Sequence, residues 1–145
     1  VQPLTTIAWD GKTLAADSRC TSSGLPYRVN KCCRLSDGML FAGAGTMSAY
    51  DAVRQWLENK GPRPEALKDF TGLLIDTDSS IWLMDETANR YEIFASFFAI
   101  GSGRDFAIAA MALGKSALEA VELASRFDVW TGGPLVELPL KERSA

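Results

Sequence analysis

The stretch Thr5-Thr6-Ile7-Ala8-Trp9-Asp10-Gly11-Lys12-Thr13-Leu14-Ala15-Ala16-Asp17 opens the ordered part of the pattern. β-Branched and apolar residues flank Asp10-Gly11, a hairpin-type turn, so the spacing predicts two antiparallel strands. Downstream, Ser18 to Pro26 reads as a polar loop, with Ser22, Ser23, Gly24 and Pro26 as breakers. A second hairpin runs from Val29 to Leu35, turns at Ser36-Asp37-Gly38 and returns from Met39 to Gly43. Helical signals begin at Gly45-Thr46. Ser48 and Asp51 have capping-box spacing, Tyr50, Val53, Trp56 and Leu57 share one face, and Gly61-Pro62 ends the helix. Pro64 to Phe70 has the length of a short second helix. Strands are predicted again over Gly72–Thr77, Ile81–Met84 and Tyr91–Ile100. Gly101-Ser102-Gly103 breaks the last of them, and Ser102 with Asp105 opens a helix to about Leu113. Ser116 with Glu119 caps another, carrying Leu118, Val121 and Phe127. An apolar stretch from Val129, broken at Gly132-Gly133-Pro134, resumes over Leu135–Leu140. Blocks of hairpin-linked strands separated by helices favour an α+β fold with antiparallel sheets over alternating βαβ units.

Composition narrows the chemistry. The chain has 145 residues, of which 47% are apolar and 23% charged, the make-up of one folded domain. It has no histidine, which removes Ser-His-Asp and Cys-His nucleophiles and any two-His zinc site. Fifteen Lys and Arg against eighteen Asp and Glu give a formal charge of -3, without the basic excess of a nucleic-acid binder. Cys20, Cys32 and Cys33 are an odd set and one ligand short of a closed zinc site, so neither a disulfide framework nor a metal is expected. No apolar run approaches the roughly 20 residues of a membrane span. A cytoplasmic protein, without membrane or nucleic-acid partners, is the expectation.

Taken singly, the polar features have plain readings. Thr5-Thr6 suits an edge strand, Asp17 a turn, and Lys31 a solvated strand face. Gly43-Ala44-Gly45-Thr46 is a strand-to-helix turn that lacks the Gly-Lys-Ser/Thr ending of a phosphate loop, and Gly114-Lys115-Ser116 lacks the preceding glycines. Taken together they resemble the proteasome β-subunit family, which includes the peptidase subunit of the bacterial ATP-dependent two-component protease. The blocks T-T-I-A-W, L-A-A-D-S-R, N-K-C-C-R-L, F-A-G-A-G-T-M-S-A, A-I-G-S-G-R-D-F-A and D-V-W-T-G-G occur in the family's order and span Thr5 to Gly133. The resemblance implies an N-terminal-nucleophile hydrolase: a four-layer α-β-β-α sandwich of two antiparallel sheets flanked by helices, hydrolysing peptide bonds.

Carried over residue by residue, it puts Thr5 at the nucleophile, Asp17 and Lys31 beside it, and Gly45 at the oxyanion donor. Ser102, Asp128 and Thr131 fall on the group that organises the nucleophile's amine, with Thr131 where the family usually has Ser. The chemistry is coherent without histidine or cofactor. A threonine hydroxyl needs a base, and its own α-amino group, with a pKa near about 8, is partly neutral at working pH. A nearby lysine ammonium depresses that value further. A preorganised backbone donor at the oxyanion is worth roughly 3 kcal/mol. The resemblance also implies that Cys20, Val29, Cys33, Gly43 and Met47 line the pocket for the residue before the cut. In that reading Gly43 leaves the pocket deep and suited to a large apolar side chain, while Cys33 and Met47 read equally well as core.

Residues Val1 to Leu4 precede Thr5, and an amide nitrogen is not a base. Three expectations follow: a leader removed by the threonine itself, with Leu4 where the family has Gly; a start site placed upstream of the true one; or an inactive relative that keeps its leader. Residues 1–145 are read as one domain, with 1–4 as candidate leader and 141–145 as polar tail. Between Lys60 and Leu73 there is room for barely two helical turns, where the family carries a long second helix. By resemblance the partners are a peptide or unfolded-protein substrate, further copies in a homo-oligomeric ring, and an ATPase unfoldase. The alternatives are a non-catalytic ring subunit with Leu4–Thr5 intact, and a small-amide amidase with the same centre.

Overall fold

The computed structural model describes residues 4–22 and 24–141; most of the expected leader and tail lies outside them. The first hairpin forms as its sequence predicts, β1 (Thr6–Trp9) pairing β2 (Thr13–Ala16) with Ile7 opposite Ala16. Asp10 fixes the turn by accepting from the amides of Lys12 and Thr13 at 2.9 and 2.8 Å. A short ribbon follows, β3 (Arg19–Ser22) and β4 (Leu25–Arg28). Next come β5 (Cys32–Arg34), β6 (Leu40–Gly45), α1 (Met47–Leu57), β7 (Phe70–Ile75), β8 (Ile81–Met84) and β9 (Arg90–Ile93). The chain ends through β10 (Phe98–Gly101), α2 (Arg104–Ala112), α3 (Ala117–Phe127) and β11 (Val136–Pro139).

The strands form two larger antiparallel sheets, ordered β10-β1-β2-β11 and β5-β6-β7-β8-β9. Strand alternation sorts their side chains. Ile7, Trp9, Leu14 and Ala16 from the first sheet pack against Leu40, Ala42, Ala44, Leu73, Ile75 and Ile81 from the second. On the opposite face of the first sheet the small side chains of Ala8, Ala15 and Ala99 let α2 and α3 lie close through Ala107, Ala110, Ala117, Ala120 and Val121. On the outer face of the second sheet, Phe41, Phe70 and Leu74 receive Tyr50 and Val53 of α1. Phe41 and Tyr50 stack with ring centroids 5.1 Å apart. The described residues therefore form a mixed fold of antiparallel sheets with three helices, as the block pattern indicates. Among the described residues no helix is long and apolar enough to cross a membrane.

Four local readings differ. The loop expected from Ser18 contains β3 and β4, because a two-stranded ribbon has free outer edges on which Pro26 needs no ladder donor. The single strand expected over Tyr91–Ile100 is two, β9 and β10, lying in different sheets; an apolar run does not say which sheet its halves join. No helix forms in Pro64–Phe70. There Leu67 donates its amide to Glu86 at 2.8 Å, Asp69 adopts φ 54°, and its carbonyl accepts from Thr46. The helix N-caps expected at Ser48 and Ser102 fall instead on Thr46 and Gly103, neither with a side-chain cap. Ser116 is a cap, with the reciprocal Glu119 bonds of a capping box.

Candidate active site

Thr5 sits immediately before β1, between the end of β10 and the end of β2, and is 1% exposed. Its hydroxyl donates to Asp17 Oδ1. Asp17, just past β2, is fully buried and also accepts from the amides of Thr6 and Gly132, each at 3.1 Å. Lys31, just before β5, places its Nζ 3.0 Å from both Asp17 carboxylate oxygens and 3.3 Å from the Leu4 carbonyl. Burial pushes the Lys31 ammonium below its ordinary value, and the Asp17 charge and hydrogen bond pull the other way. A buried pair in this geometry is held by complementary bonds on every side, not by the ion pair alone.

The second half of the site comes from the chain beyond β10. The Thr5 amide donates to Ser102 Oγ at 3.1 Å. Ser102 Oγ donates to Asp128 Oδ2 at 2.6 Å, and Thr131 Oγ1 donates to the same oxygen at 2.5 Å. The turn that delivers Ser102 needs its glycines. A Cβ on Gly101, at φ +99°, would lie 2.2 Å from the Thr5 carbonyl oxygen, and one on Gly103 would lie 1.9 Å from Thr6 Oγ1. Thus Thr5, Asp17, Lys31, Ser102, Asp128 and Thr131, dispersed in sequence, share one hydrogen-bond network.

Gly45 ends β6 at φ +119°, where a Cβ would fall 1.7 Å from the Asp69 carbonyl oxygen. Gly43 donates to the Lys31 carbonyl at 3.0 Å, so its amide faces β5. Alternation along the strand turns the Gly45 amide to the same side, past the first residue of β5. Val29, Cys33 and Met47 line a cavity of about 420 Å³ together with Asn30, Tyr50 and Arg54. Cys20 and Gly43 fall outside that lining. Cys20 lies on the ribbon, its Sγ 3.4 Å from the Tyr27 hydroxyl. The face of Gly43 is filled by the rings of Phe70 and Tyr50, which a Cβ would meet at 2.7 and 3.0 Å. Gly43 therefore admits two aromatic rings and does not deepen a pocket.

Sequence reasoning missed Thr6 and Gly132. In sequence Thr6 reads only as part of an edge strand, yet its hydroxyl is 2.7 Å from Thr131 Oγ1. Gly132 supplies its amide to Asp17, and its bare Cα leaves room for the Arg19 guanidinium, which a Cβ would meet at 2.3 Å. The signals were the doubled threonine and the Gly-Gly pair after Thr131. Among the described residues, no group of three or more His, Cys, Asp or Glu is arranged to hold a metal ion.

With two antiparallel sheets, these helices and a threonine at the head of the first strand, the fold is that of the proteasome-like peptidase subunits. The chain is similar to the BPH of Thiobacillus denitrificans at 18% identity, covering 96% of this chain and 99% of that one with a TM-score of 0.71. The same BPH in complex with epoxomicin matches at 20% identity, over 95% and 99% of the chains, with a TM-score of 0.70. Eukaryotic HslV from Trypanosoma brucei matches at 20% identity over 93% and 97%, with a TM-score of 0.68. No family profile and no curated protein matches the sequence.

Proposed function

We propose that the chain is a threonine peptidase of the N-terminal-nucleophile class, an endopeptidase whose activity is conditional on a free Thr5 amine. The observation that carries this reading is the buried Thr5, with its hydroxyl on Asp17, Lys31 on the same carboxylate, and its nitrogen on Ser102. With Leu4 attached, that nitrogen is an amide and has no basic lone pair. Once it is an amine, it takes the hydroxyl proton as Thr5 Oγ1 attacks the substrate carbonyl. Lys31, kept beside Asp17, is the positive charge that holds the amine in its neutral form. The Gly45 amide stabilises the oxyanion. The tetrahedral intermediate collapses to an ester on Thr5, the leaving amine carries off the proton, and water, activated by the same nitrogen, releases the acid.

In this reading the layering is α-β-β-α, residues 1–145 form one unit, and the chain works in the cytoplasm as a homo-oligomeric ring supplied with unfolded protein by an ATPase. A second reading is favoured by one contact, the Leu4 carbonyl held by Lys31 at 3.3 Å: a structural subunit that keeps Leu4–Thr5 intact. Intact mass separates the two. The peptidase should lose every residue before Thr5, cut a peptide library and gain one epoxomicin per chain. Thr5→Ala should abolish all three. A persistent Leu4, with no cleavage and no adduct, refutes the peptidase; an uncut peptide library after full removal favours a small-amide substrate.

A further inference from the structure

We propose that Thr6 is a positioning residue for this reaction, its hydroxyl bracing the hydrogen-bond chain that, through Thr131 and Asp128, holds Ser102 against the Thr5 nitrogen. The inference rests on the peptidase reading. It follows from counting protons. Each hydroxyl has one proton to give, and a carboxylate only accepts. Asp128 Oδ2 receives the protons of both Ser102, at 2.6 Å, and Thr131, at 2.5 Å. Thr131 Oγ1 therefore has only lone pairs to offer Thr6 Oγ1 at 2.7 Å, and Thr6 must be the donor. By the same count Ser102 has only lone pairs left for the Thr5 nitrogen, 3.1 Å away, so the nitrogen donates to it. The chain thus runs from Thr6 through Thr131 to Asp128, and from Thr5 through Ser102 to the same carboxylate. In the free amine, one N–H is committed to Ser102 and the nitrogen lone pair is left for the Thr5 hydroxyl.

Thr6 is fully buried and Thr131 is 2% exposed. The place for the Thr6 hydroxyl is made by Gly103, whose Cβ would lie 1.9 Å from it. The backbone of Thr6 meanwhile holds the other half of the site. Its amide donates to Asp17 Oδ1 at 3.1 Å, and its carbonyl accepts from the Asp17 amide at 3.2 Å. One residue ties the nucleophile's acid–lysine pair to the group that orients its amine. Without the Thr6 donor, Thr131 keeps its bond to Asp128 but loses its brace, so the carboxylate that orients Ser102 is held less firmly. Ser102 then turns more readily to its other acceptor, the Thr5 carbonyl at 3.2 Å, and receives the amine N–H less well, which lowers the basicity of the nitrogen.

The test compares wild type, Thr6→Val and Thr6→Ser, each with Thr5 exposed as judged by mass. Thr6→Val should lower kcat for a peptide by about fivefold, the worth of one hydrogen bond in the transition state, with KM unchanged. The acid limb of its pH profile should move to lower pH, and Thr6→Ser should restore both. A wild-type profile in Thr6→Val, or an equal defect in Thr6→Ser, overturns the proposal. In wild-type protein labelled with 13C-threonine, the Thr6 hydroxyl proton should be visible and slow to exchange. Rapid exchange overturns the proposal even where Thr6→Val does not fold. A wild-type chain that cuts no peptide sinks the peptidase reading instead, and the exchange measurement still decides whether Thr6 anchors the hydroxyl chain.

Discussion

Asp17 takes hydrogen bonds from the Thr5 hydroxyl, two backbone amides and Lys31, all out of reach of solvent. Such a carboxylate is tolerated only while its partners remain. Lys31→Met removes the cation and leaves the anion buried, which should cost about 3–5 kcal/mol. Asp17→Asn with Lys31→Met should cost less than Lys31→Met alone, because no net charge is then stranded. Denaturant titration of the two variants checks this; a double variant less stable than the single would show that the pair is not electrostatically coupled. At this scale the sequence was informative, since Thr5, Asp17 and Lys31 were named from their motif blocks. It was silent on Thr6, whose role depends on a hydroxyl 125 positions away in the chain.

Helix ends separate what spacing suggests from what geometry uses. Ser48, Ser102 and Ser116 each stand three residues before an acidic side chain. Only Ser116 forms the reciprocal cap, with Glu119 Oε1 3.1 Å from the Ser116 amide and Ser116 Oγ 3.2 Å from the Glu119 amide. Asp51 bonds Arg54 and Gln55 instead, and Ser102 is spent on Asp128 and Thr5. Ser116→Ala should therefore destabilise the protein by about 1 kcal/mol, while Ser48→Ala, on an exposed first turn, should change stability by no more than a few tenths. Thermal unfolding of both variants measures the difference, and equal shifts would contradict the capping geometry. A local pattern offers a cap; the competing tertiary partner decides whether the serine is available for it.

At the scale of the molecule, the packing of the two sheets buries Cys32 between them, while α1 closes over the outer face of the second sheet and buries Tyr50 there. Burial, aided by neighbouring Cys33, pushes the Cys32 thiol from 9.0 up to about 12, and burial also raises Cys33 and Tyr50. Between those two values the unfolded chain has released the Cys32 proton and the folded chain still holds it. The unfolded state binds fewer protons there, so stability present below 9.0 is lost as pH rises toward 12. Lys31, lowered by burial, opposes this in the alkaline range up to its ordinary 10.5. Cys32→Ala should lose about 1.4 kcal/mol less than wild type between pH 8 and pH 10, whatever its cost at neutrality. Urea midpoints at the two pH values test it, and parallel losses in both proteins would rule the thiol out.

The first hairpin, the alternation of strand and helix blocks, the α+β class and the motif blocks were legible because they are written in local terms: period-two alternation, turn residues and fixed spacings. The absence of histidine, too, is a property of composition, and it removed Ser-His-Asp and Cys-His nucleophiles from the candidates. What the sequence could not say was which sheet each half of Tyr91–Ile100 joins, or that Gly43 makes room for Phe70 and Tyr50. Nor could it orient the hydroxyl chain from Thr6 to Asp128. Those outcomes depend on side chains far apart in sequence competing for the same buried space and the same few protons, and only the folded arrangement decides that competition.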